Sequence, residues 1–142
     1  GVLWTYAYLT NLEDQSQEMS INVTYTYLVD GTEQTLRSAS VKYPVETGGI
    51  AIAYKSDGSI QTMQRMKSVK LTELSGSWAM ASNQRYAIAD DVQVYLRKNG
   101  SYYLTALSAV NAEDYTLTGW YNNSSSSAGR QIRIIIATAL ES

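Results

Sequence analysis

The sequence predicts an all-β protein, built as two small antiparallel barrel-like or sandwich-like modules from hairpins. Three observations carry this. The 142-residue chain holds 12 Tyr and one Pro, beside abundant Ser, Thr and Val, a composition that suits pleated, half-buried strands. Its apolar residues alternate rather than recurring every 3.6 positions, the period of a helix. Three dipeptides, Asp30-Gly31, Asp57-Gly58 and Asn99-Gly100, can take the positive φ angles that a two-residue hairpin demands.

The elements follow in chain order. The opening "GVLWTYAYL" alternates at once and predicts a strand over residues 3–9. Around Asp30-Gly31, a two-residue turn pairs Tyr25 with Leu36 and Tyr27 with Gln34, so Ile21, Val23, Tyr25, Tyr27 and Val29 share one face. Around Asp57-Gly58, the same arithmetic groups Ile50, Ile52, Tyr54 and Met63, with Ala51, Ala53 and Ile60 opposite. "LTELSGSW", residues 71–78, interrupts the pattern with Ser and Gly near the midpoint. It predicts a division into modules 1–74 and 75–142, which could also pack as one compact unit.

Further strands are predicted over residues 77–81, 85–88, 115–121 and 131–140. Around Asn99-Gly100, Val92, Val94, Leu96, Tyr103, Thr105 and Leu107 share the better core face. Gln93, Tyr95, Arg97, Tyr102, Leu104 and Ala106 lie opposite. On this register Val94→Asp buries an unpaired charge at a cost of several kcal/mol, whereas Gln93→Asp costs little. Residues 104–114 can hold one short helical turn, and "NNSSSSAGR" between the last two strands reads as a flexible polar loop. A lone hairpin is marginal in water, so the strands must close into a sheet stack or small barrel.

Composition narrows the function. With 44% apolar and 17% charged residues, intrinsic disorder is disfavoured, and no apolar run approaches the ~20 residues of a membrane-spanning helix. A formal charge of −2 and a pI near 5.0 offer no broad attraction to nucleic acid or anionic lipid. The chain has no Cys and no His, which removes disulfides, thiolate sites and the usual zinc ligand sets. The same absence removes Ser-His-Asp and Cys-His nucleophiles. Without a Gly-x-Gly-x-x-Gly or a Gly-Lys-Ser/Thr loop, nucleotide cofactors lack their signature, and no cofactor is expected. The chain opens on Gly1 rather than Met, already in strand-like alternation; it reads as a fragment whose targeting signals lie upstream.

Four groups of residues could carry chemistry. Asp90, Asp91, Glu113 and Asp114 are the acids available for glycoside hydrolysis, which needs two carboxyls facing across a cleft about 5–10 Å wide; a strand start and a turn are ordinary homes for solvated acids, and that role is favoured. "NLEDQSQE", residues 11–18, is oxygen-rich but lacks the ligand spacing of a calcium loop. Arg65, Lys67 and Lys70 form a basic stripe suited to protecting an edge strand from aggregation. Trp4, Trp78 and Trp120 can either stack on sugar rings or fill a β core. In "YTLTGWYNN", Tyr115, Leu117 and Tyr121 share one face, while Trp120, Thr116 and Thr118 share the other, so one aromatic points away from the core. Tyr102 lies across from Arg97 and suits a cation–π contact. Trp120, Tyr121 and Tyr102 are the candidate ligand-binding residues, and packing is their favoured role. No catalytic residue and no metal ligand is assigned.

"QRYAIADDVQVYLRKNGSYYLTALSAV" and "DYTLTGWYNNSSSSAGRQIRIIIA" resemble β-rich accessory segments found outside the S-layer homology repeats of large surface proteins from Clostridia-like Gram-positive bacteria. Tyr86, Ile88, Asp90, Asp91, Val92, Val94, Tyr95, Leu107, Gly129, Arg130, Ile132 and Arg133 carry the resemblance, over residues 85–137. The first half fits the same style loosely. The helical wall-anchoring repeat itself is not present. The resemblance implies an extracellular, cell-envelope location and no activity. The chain is thus expected to be a non-enzymatic structural or interaction module. Its expected partners are cell-wall polysaccharide or other surface-protein domains, without nucleic acid or membrane insertion. Carbohydrate binding through exposed aromatics is the first alternative, and a carboxylate glycosidase the second.

Overall fold

The computed structural model describes residues 3–122 and 130–140. It is all-β, with two sheets, one of them a curled half-barrel, and no α-helix among the described residues. The chain divides into compact units 1–66 and 67–142, so the break lies at Met66-Lys67 rather than after residue 74. "LTELSGSW" is no linker. Its Ser75 N–H donates to the Trp78 carbonyl at 2.9 Å, and the Ser75 hydroxyl donates to that carbonyl at 3.0 Å, closing a tight hairpin. Ser and Gly here mark a turn within a sheet.

The first unit is a five-stranded antiparallel sheet of β1 (Trp4–Asp14), β2 (Val23–Val29), β3 (Thr32–Ser38), β4 (Gly48–Tyr54) and β5 (Ile60–Arg65). Its spatial order is β3-β2-β1-β4-β5. Asp30 and Gly31 take φ of 48° and 83°, both central residues being left-handed as in a type I′ turn. Tyr25 accordingly pairs with Leu36 and Tyr27 with Gln34. Val23, Tyr25 and Tyr27 enter the core with Ala7, Leu9, Ile50, Ile52 and Met63, and Ile21 and Val29 pack against them.

The second hairpin departs from the two-residue reading. Only Gly58 has positive φ there. Gly58 N–H donates to the Lys55 carbonyl at 2.9 Å and Lys55 N–H to the Ser59 carbonyl at 2.7 Å. This is a three-residue loop, a type I turn followed by a left-handed glycine. The longer loop moves Ile60 opposite Tyr54, and a bulge between Ala53 and Tyr54 restores Ala53 to Thr62 and Ile52 to Met63. Ile60 therefore packs against the core beside Tyr54 instead of facing away from it.

The second unit contains β6 (Lys67–Leu71), β7 (Glu73–Leu74), β8 (Trp78–Ala81), β9 (Gln84–Lys98), β10 (Ser101–Thr105), β11 (Tyr115–Tyr121) and β12 (Ile132–Ala139). The order is β6-β11-β12-β9-β8-β7, and β10 also pairs with β9. A 3-10 turn at Leu107–Ala109 realises the predicted helical turn. Every pair is antiparallel except β9 with β12, which run parallel.

β9 and β12 are not simple ladders. Ile132 lies opposite Ile88 but Ile134 lies opposite Gln93, so β9 bulges over residues 89–92 and carries Asp90 and Asp91 outward. On the other side of β12, Tyr121 pairs with Ile132 and Trp120 with Ile134, leaving Arg133 as the extra residue. An inserted residue flips the alternation. Ile132, Ile135 and Ala137 consequently enter one core with Tyr86, Ile88, Val94, Leu117 and Leu71. Ile134 and Ile136, on the reverse face, are buried as well.

That second buried face corrects the expectation for Gln93. Gln93 is 6% exposed and Tyr95 fully buried, and the Tyr95 hydroxyl donates to Gln93 Oε1 at 2.7 Å. The polar partner satisfies the amide, so a residue that reads as surface is accommodated inside. Val94 is buried as expected, but Tyr103, assigned to the core face, is 53% exposed. β10 lies beside β9 alone, at the margin of the sheet where little can cover it.

Candidate functional site

The three candidate aromatics occupy different places. Tyr102 lies on β10 opposite Arg97, whose guanidinium carbon sits 5.8 Å from the Tyr102 ring centroid, the cation–π contact the register predicts. Trp120 and Tyr121 are successive in β11 and point to opposite faces. Tyr121 packs with Tyr115 and Leu117 against the unit's core. Trp120 is half-buried, with its indole nitrogen inside. A second stack carries no turn signal in the sequence: the Arg85 guanidinium lies 4.6 Å from the Trp78 ring centroid, a diagonal contact across the β8–β9 ladder.

Two surfaces emerge from this arrangement. One is β10 itself. Tyr103 is 53% and Leu104 51% exposed, and the strand "SYYLT" contains no charged residue. The other edge strands each carry charge: Glu33 and Arg37 in β3, Arg65 in β5, Lys67 and Lys70 in β6, Glu73 in β7. Charges on an edge oppose sheet-to-sheet association, and β10 lacks this protection.

The other surface lies where β11 ends and β9 and β12 begin. Tyr121 pairs with Ile132, and Ile132 with Ile88, which sets these three strands side by side. Tyr86 stands two residues before Ile88, so period-2 geometry brings Tyr86 and Tyr121 to one face, and Arg130, which precedes β12, lies near enough for its charge to act on the Tyr86 phenol. The Tyr86 and Tyr121 rings meet at 5.1 Å between centroids, tilted by 47°. Burial pushes the Tyr86 phenol above its usual range, its hydrogen bond with Tyr121 and that phenol's proximity add to the rise, and the nearby Arg130 charge opposes it. Arg130 is half-buried, and its Nε is buried without a protein acceptor. In the sequence only the aromatic ring of Tyr121 points to a binding role. The parallel pairing that supplies Tyr86 and Arg130 carries no turn signal.

A cleft of about 470 Å³ lies between Leu74–Gly76 and the 3-10 turn, lined by Leu74, Ser75, Gly76, Leu107, Ser108 and Val110. The acids are elsewhere. Asp90 and Asp91 are exposed on the β9 bulge, where Asp91 approaches Arg133 at 3.8 Å. Glu113 and Asp114 are exposed in the turn before β11, whose backbone N–H groups donate to Asn111 Oδ1 at 3.0 and 2.7 Å. Asp14, in the oxygen-rich stretch, accepts from Ser16 N–H at 3.0 Å and pairs with Lys42 at 3.1 Å. Among the described residues, no group of three or more acids forms that could hold a metal ion. Gly129, part of the resemblance, lies outside the described residues, as does most of "NNSSSSAGR". No family model, curated protein or solved structure matches the chain.

Proposed function

We propose that the chain is a non-catalytic structural and interaction module of a bacterial cell-envelope protein, placed outside the cell, that docks onto neighbouring surface-protein domains. The observation that carries this reading is β10. An uncharged edge strand presenting Tyr103 and Leu104 to solvent suits addition of a partner's extended segment, where main-chain hydrogen bonds give affinity and alternate side chains give specificity. The resemblance of residues 85–137 to envelope proteins supports the location.

Co-sedimentation tests the proposal. The chain is expected to pellet with protein-bearing envelope fragments of a Clostridia-like Gram-positive cell, and much less with fragments stripped of protein. Tyr103→Lys with Leu104→Lys restores charge to the edge and is expected to abolish pelleting without lowering the thermal midpoint. Equal pelleting of variant and parent chain overturns the β10 contact. Carbohydrate recognition is a second reading, and the grouping of Tyr121 with Tyr86 and Arg130 favours it.

A further inference from the structure

Among the described residues Arg130 makes no ion pair and no hydrogen bond that would explain its position. The residue is half-buried and its Nε is withdrawn from solvent without a protein acceptor. A buried polar group left unpaired costs about 1–3 kcal/mol, and more when charged, so such a group calls for a partner. Beside it stand two phenols in ring contact, each able to donate and to accept.

We infer that Arg130, Tyr86 and Tyr121 form a receptor for a single carboxylate carried by an acidic sugar, a uronate unit of a polysaccharide. It extends the carbohydrate reading and is independent of the β10 contact. Charge selects the ligand. One guanidinium matches one negative charge, in the planar fork that carboxylates accept. The phenols select the carrier. A uronate places hydroxyls beside its carboxylate, and each of the two phenols can donate to or accept from them. An Asp or Glu side chain has no such neighbouring hydroxyl. Trp120, on the opposite face of β11, takes no part.

The test is titration of the full chain with oligogalacturonate, followed by amide and Arg Hε shifts. Saturable shifts are expected at Tyr86, Tyr121 and Arg130. The fully methyl-esterified oligomer should bind at least tenfold more weakly, and so should Arg130→Gln with an unchanged thermal midpoint. Tyr121→Phe, which keeps the ring, should weaken binding severalfold. Tyr103→Lys with Leu104→Lys should bind as the parent does, which separates this site from the β10 contact. Oligogalacturonate binding that survives Arg130→Gln overturns the assignment, as does an absence of shifts at these residues. Poly-glutamate binding as tightly as the uronate oligomer overturns the sugar as carrier.

Discussion

Gln93 shows how a single side chain can read one way in sequence and act another way in place. At 6% exposure with Tyr95 donating to its Oε1, it is a satisfied interior amide. Gln93→Asp is therefore expected to cost roughly 2–4 kcal/mol, close to Val94→Asp, because both place a charge at a buried position. Urea denaturation of the two variants compares them directly. Asp14 offers a titration at the same scale. The Ser16 hydroxyl, then the Ser16 N–H, then Lys42 hold its carboxyl down at about 2. A carboxyl held low favours folding above its unfolded value of about 3.9, and that contribution disappears as the pH falls through about 2. Ser16→Ala should raise the Asp14 midpoint in a carboxyl-carbon NMR titration. Tyr27 runs the opposite way. Burial, then Tyr54, push its phenol up to about 12, so it favours folding fully below about 10 and loses that contribution as pH rises through about 12. Tyr27→Phe should remove a late-titrating phenol from the ultraviolet titration.

Turn chemistry governs how much of each element was legible. Asp30-Gly31 and Asn99-Gly100 both hold left-handed φ, and their hairpins register as the two-residue rule demands. Asp57-Gly58 carries the same signal but only its glycine is left-handed, and no dipeptide pattern reveals that a compensating bulge follows. The β8–β9 hairpin turns on Ser82 and Asn83, at φ 49° and 68°, without any glycine to announce it. Ser and Asn tolerate this region less readily than Gly. Replacing the pair with Asn-Gly should stabilise the protein by about 0.5–1 kcal/mol, read as a raised thermal midpoint. Gly119 in β11 is constrained by space instead. A Cβ there would meet Ile132 Cδ1 at 2.9 Å and both Leu71 methyl carbons at 3.2 Å. Gly119→Val, which adds two further carbons to that contact, is expected to cost about 1–3 kcal/mol through overpacking.

At the scale of the whole molecule, all-β character and hairpin construction followed from alternation and Gly-tipped turns. The division at Met66-Lys67 and the parallel β9–β12 pair did not, because both depend on contacts between segments far apart in sequence. β6 belongs with β11, where Leu71 pairs with Leu117 and enters the core. A fragment of residues 67–142 should therefore unfold cooperatively, whereas residues 75–142, lacking β6, should not; circular dichroism melts of the two distinguish them. Bulges in β9 and β12 decide which side chains share the face with Tyr121, and so decide whether a receptor exists at all. The most direct measurement is the set of nuclear Overhauser contacts from the Tyr121 ring. Cross-peaks to the Tyr86 ring and the Ile132 methyls are the expected result. Cross-peaks to the Arg133 side chain in place of the Ile132 methyls, with none to the Tyr86 ring, would mean that β12 continues the Trp120–Ile134 pairing without its extra residue, and the site would dissolve with that register.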